Sequence, residues 1–278
     1  MVKHFIPSSL EEALKILHDH KVEIIAGGTD LMVQRRKWAN TIPKFEQTMN
    51  IMHLSELSFI EAKNNKLHIG ATTSLTDILE HKETPELLKK TIEDIASPAL
   101  RNIATIAGNI GNASPAGDTL PILYVLNAKV VLQSMESKRT VPIDEVITGP
   151  RRTIIQADEL IKEIIIPLEE FTSTTFVKVG GRKADAISKL SFAGAVSVED
   201  NTIVDIRIAF GAVGPVVIRN KEIENTMIDM TADQINDKLD IILDAYSEII
   251  TPIDDQRSNK EYRKHVALNL LMDFLLDI

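Results

Sequence analysis

A chain of 278 residues with 44% hydrophobic and 26% charged side chains can bury a core in one large or two medium domains, which excludes extended disorder. Its net charge of -9, from 31 basic and 40 acidic side chains, argues against nucleic-acid binding as the main role, although Arg35-Arg36-Lys37 and Arg151-Arg152 form local basic patches. With no cysteine there is no disulfide, thiolate zinc site, iron-sulfur ligand or cysteine nucleophile, and no apolar run suits a signal peptide or membrane span, so a cytoplasmic protein is expected.

The opening predicts a compact α/β unit. Ser8 or Ser9 caps a helix to about His20, with Glu11 and Glu12 in its first turn and Leu10, Ala13, Leu14 and Leu17 on one face. Val22 to Ala26 reads as a short buried strand closed by Gly27-Gly28, and a helix follows from about Leu31. Strands are expected at Thr48 to Ile51 and at Lys66 to Ile69, the second preceded by the turn-forming Asn64-Asn65. Leu75 to His81 and Glu86 to Ile95 read as helices, with Pro85 near the first turn of the second and Ser97-Pro98 ending it. A glycine-rich loop from Thr105 to Asp118 then leads to a helix at Leu120 to Leu126 and strands at Ala128 to Gln133 and Leu160 to Ile166, the latter stopped by Pro167.

Beyond Pro167 the pattern changes, and a domain boundary is placed there. Three antiparallel strands are predicted at Thr174 to Val179, Leu190 to Val198 and Ile203 to Phe210, with a tight connection at Glu199-Asp200-Asn201. Helices at Thr231 to Ile249 and Asn259 to Leu276 complete an α+β pattern, the last with Tyr262, Val266, Leu270 and Phe274 at helical spacing.

Two glycine-rich stretches carry the functional signal: Ala26-Gly27-Gly28-Thr29-Asp30-Leu31, and Thr105-Ile106-Ala107-Gly108-Asn109 continuing through Asn112-Ala113-Ser114-Pro115-Ala116-Gly117-Asp118. Backbone N-H groups converging on an anion need the dihedral freedom and close approach that glycine allows. A Gly-Gly after a strand is more often an ordinary tight turn, and the pairing of the two stretches suggests a cradle for a phosphate-bearing cofactor. Thr105 and the amides near Gly108 suit a pyrophosphate, whereas the Asp118 carboxylate suits a sugar hydroxyl better. Neither the G-x-G-x-x-G fingerprint nor the P-loop pattern is present.

These stretches resemble the paired flavin-binding motifs of the FAD-binding medium subunit of molybdenum hydroxylases, the group of xanthine, carbon monoxide, nicotinate and aldehyde dehydrogenases. Further segments carry the resemblance along the chain: Phe5-Ile6-Pro7-Ser8-Ser9-Leu10-Glu11-Glu12-Ala13, Arg182-Lys183-Ala184-Asp185-Ala186-Ile187-Ser188, and Thr251 to Ser258 with Glu261-Tyr262-Arg263. The resemblance implies an α+β protein: a vanillyl-alcohol-oxidase (PCMH)-type FAD-binding domain over 1-167, in subdomains of about 1-54 and 55-167, then a CO-dehydrogenase-flavoprotein-type domain over 168-278. It implies non-covalent FAD whose pyrophosphate is met by Ala26, Gly27, Gly28, Thr29 and Asp30, with Thr105, Gly108 and Asn109 closing over the same group, Asp118 on the ribose or nearby cofactor hydroxyls, and Asn112 among the binding residues. By the same resemblance Ile161 and Lys178 line the cofactor, with nearby Lys183 competing for the second place. Ala107 stands where glycine is frequent, so a negative φ is expected there.

What the resemblance implies for function is an electron exit. Substrate is oxidised at a molybdenum-pterin centre in a large partner subunit, electrons cross 2Fe-2S clusters in a small one, and FAD passes them to NAD+ or another acceptor, in a dimer of heterotrimers. No catalytic acid, base, nucleophile or metal ligand is assigned to this chain. Zero cysteines exclude the variant of this subunit that carries its own cluster, as in the 4-hydroxybenzoyl-CoA reductase type. A self-sufficient flavin oxidoreductase and a cofactor-free assembly factor are the alternatives. Elsewhere His18-Asp19-His20 reads as a solvated helix end, Arg35-Arg36-Lys37-Trp38 as an exposed helix end or basic patch, Arg182 and Lys183 as salt-bridge partners, and Phe192 and Phe210 as core.

Overall fold

The computed structural model describes residues 2-36, 42 and 44-278. Two compact units emerge, one from Met1–Thr84, Ser97–Ser114 and Asn127–Leu168, the other from Pro85–Ala96, Pro115–Leu126 and Glu169–Ile278.

The first unit holds two main sheets. Strands β1 (Lys3–Phe5), β2 (Glu23–Ile25) and β3 (Gln47–Asn50) form a parallel sheet in the order β1-β3-β2. The Leu10–Asp19 helix connects β1 to β2. Its start is set by the Ser9 hydroxyl, which accepts the Glu12 N-H, and its apolar face buries Ala13, Leu14 and Leu17 against Met49, Ile51, Leu54, Leu57 and Leu160. The second sheet is antiparallel, in the order β4-β5-β10-β6-β7, from β4 (Ile60–Lys63), β5 (Lys66–Gly70), β6 (Lys129–Gln133), β7 (Lys138–Pro142) and β10 (Leu160–Pro167). A small hairpin of β8 (Ile147–Gly149) and β9 (Arg152–Thr153) sits between β7 and β10 in sequence.

The second unit is built on β11 (Ser173–Val179), β12 (Leu190–Glu199) and β13 (Thr202–Gly211), an antiparallel meander in chain order. Asp200 and Asn201 both take left-handed φ at its tight turn, where Asn and Asp pay least for that geometry. Phe192 and Phe210 are fully buried as expected, with ring centroids 5.2 Å apart, and Phe274 and Tyr246 join them at 5.6 and 5.7 Å. The Tyr246 hydroxyl is buried without a hydrogen-bond partner among the described residues. The Thr119–Val125 helix is buried at every position and would strand its last carbonyls. Arg207 donates to the Val125 carbonyl at 3.1 Å and Arg219 to that of Tyr124. Their charges are met by Asp205 and Glu169 for Arg207, and by Glu224 for Arg219.

Several expectations are corrected. The stretch after Thr105 is a helix, Ile106–Asn112, because Thr105 caps it: its hydroxyl accepts the Gly108 N-H at 2.9 Å. Ala107 lies inside this helix, outside the positive-φ residues, as expected. The helix after Asp30 is a single turn, Leu31–Gln34. The long helix at 231-249 is two, Ala232–Asp237 and Leu239–Ile249, the first started by a capping box between Thr231 and Gln234. The Glu86–Glu93 helix ends before Ser97, and Pro98 opens a new turn, Pro98–Arg101, rather than only closing the old one. On the Lys260–Leu276 helix the buried residues are Arg263, Ala267, Leu271, Phe274 and Leu275; of the predicted stripe Phe274 is buried, Val266 and Leu270 are partly buried against the core, and Tyr262 is exposed. Arg263 goes inside because its guanidinium has acceptors there, the Asp255 carboxylate at 2.5 Å and the Ala212 carbonyl at 3.3 Å.

Candidate cofactor site

Within the first unit, β2 runs into Gly27 and Gly28, and the two glycines do different work. A Cβ on Gly27 would lie 1.8 Å from the Ile103 carbonyl oxygen, so only glycine lets this turn touch the backbone that leads into Thr105. Gly28 has φ +67°, the left-handed region, with no crowding around it. Gly27, Gly28 and Thr29 in this turn are half-buried, and among the described residues their backbone N-H groups have no hydrogen-bond partner. Consecutive free amides around a left-handed glycine suit an anion. The following helical turn, at four residues, adds little dipole to them.

The segment before Thr105 is held from its other side by Leu75, whose N-H donates to the Ala104 carbonyl at 2.9 Å, and by a bridge between Ser74 and Thr105. Thr105 is buried, and its oxygen is engaged by the Gly108 amide; the hydroxyl hydrogen remains as a donor. Gly108 and Gly111 lie three residues apart on one exposed face of the Ile106–Asn112 helix. A Cβ at Gly111 would meet only the Ile161 Cδ1, at 4.0 Å. Alanine at 111 would favour the helix by about 1 kcal/mol, so glycine there is a cost with no packing reason among the described residues, whereas at Gly108 a Cβ would stand 3.0 Å from the Thr105 hydroxyl oxygen. Bare backbone on this face does suit a flat or phosphate-bearing group laid against the helix, with Ile161 of β10 beside it.

Asp30 and Asn112 are joined by two donors. Arg151, in the turn between β8 and β9, donates to the Asp30 Oδ2 at 2.8 Å and to the Asn112 Oδ1, and the Gln34 amide reaches the same two oxygens. Burial alone would raise the Asp30 carboxyl; Arg151, Gln34 and Asn112 together hold it below its ordinary value. Arg151 has φ +60° and its own N-H donates to the Ala113 carbonyl at 2.9 Å.

The first unit therefore brings Ala26 to Asp30, Thr105, Gly108, Asn109, Asn112 and Ile161 into one region, with Asn109 on the same helix. Asp118 and Lys178 belong to the second unit, where they form a pair of their own. The Lys178 Nζ is 2.8 Å from the Asp118 Oδ2 and donates to the Asp94 carbonyl at 2.7 Å, while Ser188 donates to the other Asp118 oxygen. Burial pushes the Asp118 carboxyl up, and the Lys178 ammonium and Ser188 hydroxyl act against that rise. Lys178, rather than exposed Lys183, makes this pair.

Residues 1-169 match the family model described as the FAD binding domain in molybdopterin dehydrogenase. The chain belongs to this family. Residues 175-278 of the flavoprotein match the CO dehydrogenase flavoprotein C-terminal domain. It is 32% identical to the glyceraldehyde dehydrogenase medium chain of Sulfolobus acidocaldarius, over 95% of this chain and 93% of that one. It is 30% identical to the nicotinate dehydrogenase FAD-subunit of Eubacterium barkeri, over 98% and 95%. Among solved structures it resembles the carbon monoxide dehydrogenase of Hydrogenophaga pseudoflava, with a TM-score of 0.88 and 25% identity over 98% of this chain and 95% of that one. Like these relatives, the flavoprotein is an FAD-binding component of an oxidoreductase, and its α+β architecture is theirs.

Arg151, Gln34 and Gly111 were not singled out as site residues by sequence reasoning. Gln34 had a usable signal, its four-residue spacing from Asp30 on a helical turn. Arg151 was legible only as half of a basic pair with Arg152, since 121 positions separate it from its partner. Of the basic segment Arg35-Arg36-Lys37-Trp38, Arg35 pairs with Glu23, and Lys37 and Trp38 lie outside the described residues. His20 caps the first helix and stacks on Phe5 at 5.0 Å, and Arg182 pairs with Asp185 at 3.5 Å. Among the described residues no helix is long and apolar enough to cross a membrane.

Proposed function

We propose that this flavoprotein is the electron exit of a cytoplasmic molybdenum hydroxylase. It would stand beside a large molybdenum-pterin subunit and a small 2Fe-2S subunit in a dimer of heterotrimers, and deliver electrons to NAD+ or another acceptor. The observation that carries the reading is the set of amides at Gly27 to Thr29 that have no hydrogen-bond partner among the described residues, in the same unit as the exposed Gly108 and Gly111 of the Ile106–Asn112 helix. In this reading the amides of 27 to 29 take the FAD pyrophosphate, Thr105, Gly108 and Asn109 close over it, Asp118 holds the ribose or nearby cofactor hydroxyls, and Ile161 and Lys178 line the cofactor. The domains divide at 167, with residues 1-167 holding the cofactor and 168-278 following. FAD, when bound, supplies the redox chemistry; the chain supplies binding, orientation and charge. Relatives are named for nicotinate, glyceraldehyde, xanthine and carbon monoxide, and xanthine-like chemistry is one choice among these.

The full chain, purified alone, is expected to carry FAD at about one equivalent, seen as flavin absorbance after gel filtration. NADH added without oxygen should bleach that absorbance, and no aldehyde or N-heterocycle should do so until the partner subunits are added. A colourless protein that cannot be loaded with FAD would mean the assembly-factor reading. Bleaching by an organic substrate in the isolated chain would mean a self-sufficient oxidoreductase, and a flavin that NADH leaves oxidised would remove NAD+ as the acceptor.

A further inference from the structure

Asp30 poses an electrostatic problem for the site just described. Its side chain is half-exposed, one residue from the Thr29 amide, and an unneutralised carboxylate there opposes any anion bound at 27 to 29. Two groups hold it, but only one carries charge. Gln34 contributes hydrogen bonds to Asp30 and Asn112, whereas Arg151 contributes hydrogen bonds and a positive charge to the same pair. Arg151 is also anchored where it stands. Its N-H donates to the carbonyl of Ala113, the left-handed residue that ends the Ile106–Asn112 helix, and Arg151 itself takes a left-handed φ that an ordinary turn residue avoids. One residue thus fastens the end of the Ile106–Asn112 helix with its backbone and the end of the first glycine stretch with its side chain.

We propose that Arg151 is a positioning residue: it cancels the charge of Asp30 and locks it to Asn112, so that the neighbouring amides accept a phosphate-bearing ligand. The inference rests on the reading of Gly27 to Thr29 as the FAD pyrophosphate site. It assigns Arg151 no contact with the flavin ring and no part in electron transfer. Its effect is on affinity, and it works through Asp30.

The test is FAD titration of the deflavinated full chain, followed by flavin fluorescence quenching, with far-UV circular dichroism as a check on folding. Arg151→Ala and Arg151→Gln should each weaken FAD by about tenfold or more, the scale of one charge-assisted hydrogen bond with its charge. The loss should be larger at low ionic strength. Adding Asp30→Asn to either variant should recover most of the lost affinity, because it removes the charge left uncompensated; a merely structural arginine would not be rescued this way. Wild-type affinity in both Arg151 variants, or double variants as weak as the single ones, overturns the proposal while leaving the site reading intact. A wild-type chain that binds no FAD overturns the site reading itself, and the role of Arg151 with it.

Discussion

The two glycines of the first stretch show how one residue type serves separate physical ends. At Gly27 the constraint is contact, with the Ile103 carbonyl occupying the place of any Cβ. At Gly28 the constraint is the dihedral, since the nearest neighbours of a Cβ are at an ordinary 3.5 Å. Valine at 28 would be forced from φ +67° by its branched Cβ, at a cost of about 1 to 2 kcal/mol that the loop can avoid only by abandoning the turn. Gly28→Val is therefore expected to yield a folded chain that loses FAD on gel filtration; flavin content equal to wild type would defeat the assignment of this turn. Gly27 and Gly28 were legible in the sequence as a pair after a strand, but the division of labour between them was not. It depends on Ile103, which is far away along the chain.

At the scale of elements the main revision is the helix Ile106–Asn112. Glycine and asparagine count as helix breakers in any local reading, so IAGNIGN looked like loop, and the cap that decides the matter is one hydroxyl, Thr105. The same revision gives a measurable trade-off. Gly111→Ala should stabilise the apo-protein by about 1 kcal/mol through helix propensity. It should weaken FAD by placing a methyl group on the bare face. A thermal melt of the apo-protein and an FAD titration would check both halves, and tighter FAD binding in the variant would show that this face is not part of the site. Strands bounded by Gly, Pro or Asn, such as β5, β10 and the β12-β13 hairpin, were legible because their ends are written locally. The parallel β1, the short β8-β9 hairpin and the buried face of the last helix were not. Arg263 illustrates why: a charged residue is read as solvent-facing until Asp255 and the Ala212 carbonyl are seen waiting for it. The Lys178-Asp118 pair is similar, since resemblance named both residues but local pattern could not join them.

For the molecule as a whole, the recognised architecture came from ordered motifs along the chain, while the internal wiring came from charges buried in pairs. One such pair makes acid stability predictable. Burial would raise the Asp255 carboxyl, but Arg263 and the N-H groups of Arg257 and Ser258 bring it down to about 2. A carboxyl depressed on folding, against about 3.9 in the unfolded chain, contributes stability fully above roughly pH 4 and loses it as pH falls toward 2. Asp255→Asn should lower the urea midpoint at pH 7, where Arg263 is left buried without its counter-charge, and the difference from wild type should shrink between pH 4 and pH 2. Parallel midpoints across that range would remove Asp255 from the account of acid stability. Tyr246 supplies a means of watching the opposite end of the pH scale. Burial, with the nearby Glu224 charge adding to it and Arg219 opposing, holds its phenol far above the usual tyrosine range. Its near-ultraviolet signal in alkali should therefore arrive with the collapse of the surrounding aromatic cluster rather than with ordinary titration, an optical clock for core opening that needs no label.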